Sequence, residues 1–289
     1  MSALIFVQIP AYRDPELLPT LRGLIETADS PELLRIVVVW QYGIDELSVE
    51  KHLRAFPQVE LVKVPARYSS GCNWARSQSQ RRWNGEPYTL FLDSHHQFQD
   101  GWDTTLVAWH EELRQLGVPR PILTGYMPPY GSGRDREDTI LDMNIHERFE
   151  GLIYRLVGHP VADTRQLSEP FPGRFASLHF LFADGRFNED VPFDPDIYFF
   201  SDEAAISLRA YTHGYDLFQP HRIVGWHLYD RTTRGTHWND HSDWPKQHQR
   251  SMIRLRDLYR GELRGDLGIG SQRSVADYEA YIGAPLITS

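Results

Sequence analysis

YTLFLDSH, residues 88–95, places two potential metal ligands directly after a buried strand. Residues 88–92 form a compact apolar run, and Asp93, Ser94 and His95 follow it at once. On an extended segment residues i and i+2 point to the same side, so Asp93 and His95 can face one ion. A carboxylate with an imidazole suits manganese, iron or zinc better than magnesium. By spacing alone a turn-capping aspartate and an exposed histidine are the commoner interpretation, but the end of a buried strand favours a metal.

Segments before and after this strand alternate between strand-like and helix-like patterns. Apolar runs at 4–9, 35–40, 59–64 and 121–125 predict further strands, and periodic patterns at 14–28, 49–55, 71–83 and 100–116 predict helices. This alternation predicts an α/β fold with a Rossmann-like, mostly parallel central sheet flanked by helices. Such sheets bind ligands outside the carboxyl ends of their strands, which is where Asp93 lies.

The second half of the chain is less regular. It predicts strands at 140–144, 177–183 and 223–228, and helices at 202–214, 246–259 and 275–282. Ser201 stands where its side chain can cap the first of these helices, and Gly214 stands where that helix ends. Because no internal repeat, low-complexity tract or linker interrupts the sequence, we predict a single domain over 1–289 with an elaborated C-terminal half.

The composition argues against several classes of protein. The formal charge of −9 and the pI of about 5.8 disfavour non-specific binding to nucleic acid, which requires many cations. Cys72 is the only cysteine, which excludes an intramolecular disulfide and a Cys-rich zinc site. The opening strand lacks the basic residues and cleavage site of a signal peptide, and no apolar stretch approaches a membrane span. We therefore predict a soluble, cytoplasmic protein that does not contact a membrane.

The residues around the Asp-Ser-His motif resemble a known family. GCNWARSQSQRRWNGEPYTLFLDSHHQFQDGWD, residues 71–103, is similar to the centre of glycosyltransferase family 60, which includes cytoplasmic hydroxyproline N-acetylglucosaminyltransferases, and more distantly to the polypeptide GalNAc-transferases. Further blocks agree in order: IPAYRD (9–14), VPFDPD (191–196), SDEAAISLRAYTHGYDLFQP (201–220), VGWHLYDR (224–231) and SQRSVADYEAYIG (271–283). The resemblance implies the GT-A fold, with a nucleotide-binding half at 1–125 and an acceptor-binding, metal-completing half at 126–289.

The resemblance also implies a set of metal ligands. Asp93 and His95 would bind manganese or another divalent metal and, through it, the diphosphate of a UDP-sugar, with Ser94 between them. His227, in the block at 224–231, would be the third protein ligand, although a core histidine beside Trp226 is the alternative that the residues alone favour. His96 departs from the family pattern, and its role is open.

Other residues would hold the donor or act on the sugar. By resemblance the nucleoside would be held by Pro10, Ala11, Tyr12 and Arg13, and Arg76 would reach the donor. The Gly-Glu-Glu stretch of the family appears as Ser201-Asp202-Glu203, so Glu203 is our first choice for the sugar-contacting carboxylate and Asp202 the second. Acids in a first helical turn also favour the helix dipole, which leaves a structural role open. Asp14 is expected to cap the helix that follows it.

The five histidines that surround His227 in the sequence are expected to be structural or solvated: His213, His221, His237, His241 and His248. Trp238 and Trp244 either form an acceptor-facing wall or pack under a loop.

The implied activity is transfer, with retention of anomeric configuration, of a sugar from a UDP-sugar to a hydroxyl. UDP-N-acetylglucosamine is the favoured donor, and the acceptor is a protein, a glycan or another hydroxyl-bearing molecule, with nucleic acid disfavoured. A front-face route, in which the departing phosphate helps to deprotonate the acceptor, is preferred to an enzyme nucleophile. Two alternatives stay open: a metal-dependent hydrolase that uses Asp93, His95 and His227, and a non-catalytic sugar-binding module derived from a transferase.

Overall fold

A computed structural model describes residues 3–131 and 133–288 of the chain. The predicted single domain and its two halves include Met1, Ser2, Ser132 and Ser289, which lie outside the described residues. The strands are β1 (Ile5–Tyr12), β2 (Leu34–Tyr42), β3 (Val59–Pro65), β4 (Tyr88–Leu92), β5 (His96–Phe98), β6 (Pro121–Thr124), β7 (Leu141–Phe149), β8 (Leu152–Pro160), β9 (Phe171–Pro172), β10 (Phe180–Asp184), β11 (Asp216–Gln219) and β12 (Gly225–His227).

The α-helices are α1 (Leu17–Glu26), α2 (Glu50–Leu53), α3 (Cys72–Gln80), α4 (Trp102–Gln115), α5 (Phe187–Asp190), α6 (Asp202–Thr212), α7 (His237–Asp240), α8 (Trp244–Tyr259) and α9 (Val275–Ile282). Short 3₁₀ turns lie at Pro31–Leu33, Ile44–Val49, Ala66–Tyr68, Thr164–Gln166 and Gly265–Leu267. In the part of the chain that the structure describes, no helix is both long and apolar enough to span a membrane.

The central sheet of the described residues has the strand order β3-β2-β1-β4-β10-β6-β11-β9. The first four strands in this order are parallel, and their apolar runs are almost fully buried in β1 and β2. Strands buried on both faces need continuous apolar sequence, which is why RIVVVW and ALIFVQI are not alternating patterns. The predicted α/β fold with a mostly parallel sheet is confirmed.

The sheet departs from a simple parallel order beyond β4. Strand β10 runs antiparallel to both of its neighbours, β4 and β6, so that a strand from the second half of the chain separates two strands from the first half. The chain between β6 and β10 includes a hairpin of β7 and β8, of which the sequence predicted only the start. A strand is added to a sheet by long-range pairing, and the local pattern of its residues does not determine its neighbour.

Two local features position the site. Strands β5 and β12 pair antiparallel with His227 opposite His96, which brings the far half of the chain to the end of β4. Helix α3 buries polar residues because they are hydrogen-bonded: Gln80 donates to the Val191 carbonyl and accepts from the Phe193 N–H.

The expected side-chain cap at Ser201 is wrong, because this residue lies in the left-handed region at φ 67° and its hydroxyl has no partner among the described residues.

Candidate metal centre and donor cavity

An open cavity lies at the carboxyl ends of β1, β2 and β4. Its wall includes Asp93, Ser94 and His95 from the segment after β4, and His227 from the end of β12. Asp93 Oδ2 lies 3.6 Å from His227 Nε2 and 3.8 Å from His95 Nε2. One possible ligand atom from each of Asp93, His95 and His227 lies within 4.8 Å of the others. The structure thus brings together the three residues that were predicted to bind a metal.

His95 is oriented by a carboxylate behind it. Asp14 Oδ2 lies 2.7 Å from His95 Nδ1 and accepts from the Ser94 hydroxyl at 2.6 Å, and Asp14 Oδ1 accepts from the Glu16 N–H. Since an ionised carboxylate only accepts, Nδ1 of His95 carries the proton and Nε2 keeps its lone pair on the cavity side. Burial raises the pKa of Asp14, but the hydrogen bonds from His95 and Ser94 outweigh it and lower the pKa overall.

His227 has two buried ring nitrogens without a hydrogen-bond partner among the described residues. Its ring stacks on His179 at a centroid distance of 4.1 Å. Burial lowers the pKa of His227 well below its usual value, so the imidazole stays neutral and keeps a lone pair. An unpaired buried donor or acceptor is costly, and a metal ion would satisfy Nε2. Two imidazole nitrogens and one carboxylate oxygen form a donor set that fits manganese, iron or zinc.

Asp93 divides its two carboxylate oxygens between different partners. Oδ1 accepts from Arg76 Nη2 at 3.1 Å, while Oδ2 faces His95 and His227. The same arginine donates to Asp202 Oδ2 at 3.2 Å through Nη1. Burial raises the pKa of Asp93, but the close approach of the His227 ring and the charge of Arg76 bring it well below its usual value. Asp93 is therefore ionised, and its Oδ2 lies on the histidine side.

The two carboxylates chosen as sugar-contacting residues lie behind the cavity wall. Glu203 accepts from the Tyr126 hydroxyl at 2.7 Å and from the Leu178 N–H at 3.2 Å, and neither Glu203 nor Asp202 lines the cavity. Burial, followed by the charge of Asp202, raises the pKa of Glu203 to about 7. Their direct contact with a sugar stays a prediction.

The expected nucleoside residues divide into two groups. Pro10 and Tyr12 line the cavity, whereas Ala11 is fully buried in the sheet. Arg13 does not line the cavity and pairs with Asp240 at 2.8 Å.

Asp14 does more than cap the helix after it. Its Oδ1 accepts from the Glu16 N–H in the turn before α1, but its Oδ2 holds Ser94 and His95. Glu16, rather than Asp14, stands immediately before the first residue of α1. The sequence could not show the contact with His95 because the two residues lie 81 positions apart.

Several cavity residues were not assigned from the sequence. Arg231 and Arg234 line the cavity, and Arg234 Nη2 lies 3.1 Å from His95 Nε2. Trp238 lines the same wall, as one of its two sequence interpretations allowed. His237, expected to be merely structural or solvated, also lines the cavity and lies 2.6 Å from the Tyr198 hydroxyl. The sequence signal that could have identified Arg231 as a site residue was the block at 224–231, which ends in this arginine.

Structures of known proteins share this architecture. GalNAc-T7, crystallised with UDP, GalNAc and Mn²⁺, matches with a TM-score of 0.65 and 13% identity over 97% of this chain and 55% of its own. TarS 1–349 of S. aureus in complex with UDP-GlcNAc matches with a TM-score of 0.56 and 14% identity over 96% and 70%. The mannosyltransferase PcManGT of Pyrobaculum calidifontis, in complex with GDP-Man and Mn²⁺, matches with a TM-score of 0.56 and 14% identity over 98% and 70%. The chain thus has the GT-A glycosyltransferase fold and spans about half the length of GalNAc-T7.

Comparison of the sequence with protein families gives a more specific result. No curated protein sequence matches the chain. The family described as Glycosyltransferase (GlcNAc) matches residues 4–53 and 44–266, which together make up most of the chain. These segments include Asp93, His95 and His227. The chain belongs to the Glycosyltransferase (GlcNAc) family.

Proposed function

We propose that this chain transfers a sugar from a UDP-sugar to a hydroxyl group, with a divalent metal bound by Asp93, His95 and His227. The observation that carries the proposal is the buried Nε2 of His227, which has no hydrogen-bond partner in the described part of the chain and lies 3.6 Å from Asp93 Oδ2. The similar structures with UDP and Mn²⁺, and with UDP-GlcNAc, support this donor class and metal. Bound at these residues, the metal would offset the charge that develops on the diphosphate leaving group.

The other residues of the cavity have distinct roles in this proposal. Arg231 and Arg234 bind the phosphates, since arginine forms charge-assisted, often bidentate bonds with phosphate oxygens. Arg76 holds Asp93 by one oxygen, and Asp14 holds His95 in the tautomer that presents Nε2. Pro10 and Tyr12 lie beside the nucleoside. In this proposal the first 125 residues supply the nucleoside contacts and two of the three metal ligands, and the later half completes the metal site and supplies the phosphate contacts.

The family description supports N-acetylglucosamine as the transferred sugar. Membership of glycosyltransferase family 60 rests on the sequence blocks quoted above, and it favours a hydroxyl on a protein or a glycan as the acceptor. The net charge of −9 disfavours a nucleic acid acceptor.

We further propose that the transfer retains anomeric configuration by a front-face route. Among the described residues that line the cavity, the carboxylates are Asp14 and Asp93. Both are engaged in this proposal: Asp14 binds His95 and Ser94, and Asp93 binds Arg76 through one oxygen and the metal through the other. An enzyme nucleophile would need a free carboxylate close to the sugar. The distribution of carboxylates supports a route in which the departing phosphate takes the acceptor proton.

Release of UDP tests the proposal directly. Purified protein is incubated with UDP-GlcNAc, UDP-GalNAc, UDP-Glc or UDP-Gal, with Mn²⁺ or with EDTA, and the UDP released is measured. Binding of UDP to the protein is measured separately by calorimetry. The His227→Ala variant is compared with His221→Ala, a matched buried histidine that packs on Trp109 outside the cavity. We expect metal-dependent release that prefers UDP-GlcNAc, is lost in His227→Ala and is kept in His221→Ala.

The same assay separates the alternatives. Hydrolysis of phosphate esters without any nucleotide sugar would identify a metal-dependent hydrolase instead. Tight binding of UDP with Mn²⁺ but no turnover with any acceptor would identify a sugar-binding module. No binding of UDP in the presence of Mn²⁺ would refute the proposed function.

A further inference from the structure

Thr20 is a polar residue on the apolar face of helix α1. Its companions on that face are Leu17, Leu21 and Leu24, and all four side chains are buried, Thr20 with an exposed fraction of 0%. A leucine would favour the helix more than threonine, whose branched side chain is restricted there, and it would need no hydrogen-bond partner. The buried hydroxyl of Thr20, by contrast, has to be paired within the protein.

The hydroxyl of Thr20 is paired outside its own helix. A threonine hydroxyl in a helix commonly bonds the carbonyl four residues earlier, as Thr27 at the end of α1 bonds the Gly23 carbonyl. The Thr20 hydroxyl donates instead to the Ser94 carbonyl at 2.9 Å, with the His96 carbonyl at 3.3 Å as a second acceptor. Its oxygen accepts from the His96 N–H at 2.9 Å. Thr20 therefore ties α1 to the chain between β4 and β5.

The connection between β4 and β5 carries two of the three proposed metal ligands. It consists of three residues, Asp93, Ser94 and His95. The first carbonyl of this connection lies 3.1 Å from His96 Nδ1, and the third accepts from the Leu228 N–H. The middle carbonyl is the one that the α1 hydroxyl binds. Each carbonyl of the connection thus has its own partner, as buried backbone groups require.

The hydroxyl of Thr20 binds one backbone group on each side of His95. The Ser94 carbonyl belongs to the peptide before His95, and the His96 N–H belongs to the peptide after it. A single oxygen that bonds both groups fixes their separation and therefore restricts the backbone dihedral angles of His95. Asp93 and His95 can face one ion only while the backbone between them keeps its course, so this restraint bears on the metal site.

We propose that Thr20 is a positioning residue of the metal site, whose hydroxyl fixes the backbone on both sides of His95 so that His95 and Asp93 face one ion. The inference rests on the proposed function, because it takes these residues to bind a metal. Thr20 does not line the cavity, so it acts through the connection and not on the ion. It complements Asp14, which holds the imidazole of His95 while Thr20 holds the backbone.

The test is the affinity for Mn²⁺ in the presence of saturating UDP, from the electron paramagnetic resonance of the free ion, with the line shape of the bound ion recorded in the same samples. Thr20→Val removes the hydroxyl but nearly keeps the shape of the side chain, and it leaves the Ser94 carbonyl and the His96 N–H without their partner. Thr20→Ala removes the hydroxyl without placing a methyl group there. Thr20→Ser keeps the hydroxyl and removes the methyl group.

Thr212→Val is the matched control. Thr212 is also 0% exposed, and its hydroxyl likewise donates to a backbone carbonyl, that of Leu208, and accepts from a backbone N–H, that of Gly270. Thr212 does not line the cavity. Both valine variants lose one buried hydroxyl and should unfold at a lower temperature, so thermal unfolding shows whether each variant is folded and how much stability it has lost.

We expect Thr20→Val and Thr20→Ala to weaken Mn²⁺ binding about tenfold and to change the line shape of the bound ion, because residues behind a metal ligand typically affect affinity by this order. Thr20→Ser and Thr212→Val should stay within about twofold of the unmodified protein. Folded Thr20→Val and Thr20→Ala proteins that bind Mn²⁺ as tightly as Thr212→Val would overturn the role of Thr20. A Thr20→Ser protein that loses as much affinity as Thr20→Val would overturn the role of the hydroxyl. Failure of the unmodified protein to bind Mn²⁺ with UDP would instead refute the proposed function.

Discussion

Replacement of Asp14 by asparagine is expected to weaken the proposed metal site without changing any of its three proposed ligands. The carboxylate accepts from His95 Nδ1–H and the Ser94 hydroxyl, and it thereby keeps the His95 Nε2 lone pair toward Asp93 and His227. Oδ2 accepts from both of these groups, and Oδ1 accepts from the Glu16 N–H. An asparagine has one oxygen and one NH₂, so it cannot accept at the Oδ1 and the Oδ2 position together. When the NH₂ group faces His95, Nδ1 becomes an acceptor, the proton moves to Nε2 and the ligand is lost.

The size of the expected loss of metal affinity can be estimated. Removal of a residue that orients a metal-bound histidine typically costs about ten- to a hundredfold in metal affinity. This range corresponds to about 1.4–2.8 kcal/mol of binding free energy. The upper part of the range is expected for Asp14, since its carboxylate is buried and contacts His95 at 2.7 Å and Ser94 at 2.6 Å.

The assay is a titration of Mn²⁺ in the presence of saturating UDP, with free Mn²⁺ measured by electron paramagnetic resonance. Asp103→Asn is the matched control: Asp103 is another buried aspartate, and it accepts from the backbone N–H groups of Asp29 and Ser30. Both variants lose a buried carboxylate, but Asp103 does not line the cavity.

We expect Asp14→Asn to weaken Mn²⁺ binding and Asp103→Asn to leave it within about twofold of the unmodified protein. The reasoning is refuted if the Asp14→Asn protein, shown to be folded, binds Mn²⁺ as tightly as the Asp103→Asn protein does.

Three further predictions concern charge and protonation. Arg231→Ala and Arg234→Ala should each weaken UDP binding about tenfold, whereas Arg186→Ala, at an exposed arginine that does not line the cavity, should not. Equal affinities in all three calorimetric titrations would contradict the phosphate contacts. Glu203→Gln should keep the affinity for UDP and Mn²⁺ but lower the turnover of the sugar donor about tenfold. Unchanged turnover would contradict a role for Glu203 in the reaction. Burial lowers the pKa of His110, so its contribution to stability is complete above pH 6.5 and is lost as the pH falls and the unfolded chain takes up a proton. Between pH 7.5 and 5.5 the free energy of urea unfolding should therefore fall further, by up to about 1.4 kcal/mol, in the unmodified protein than in His110→Gln, and equal falls would contradict this.

The elements with strong local patterns could be predicted from the sequence. Strand β4 and helix α9 have the predicted bounds, because an apolar run between polar residues and a short amphipathic pattern before Gly283 are both local signals. The antiparallel insertion of β10 and the second strand of the β7–β8 hairpin were missed. Both depend on which strand pairs with which, and no local pattern encodes that choice.

The candidate site was predicted in part. Asp93 and His95 could be predicted as metal ligands because they directly follow a buried strand. His227 was predicted only from the resemblance of its block to a known family. Asp14 and His179 were missed as supports for His95 and His227, since each reaches its partner through the fold. The cap expected at Ser201 failed because its backbone takes a left-handed conformation that only the tertiary structure explains.

The most direct test of the metal site is a crystal structure grown with Mn²⁺ and UDP, with anomalous diffraction recorded at the manganese edge. We predict one anomalous peak within bonding distance of Asp93 Oδ2, His95 Nε2 and His227 Nε2, with the diphosphate of UDP on its open side. UDP bound in the cavity with no manganese at these three atoms, or manganese bound elsewhere, would contradict the account.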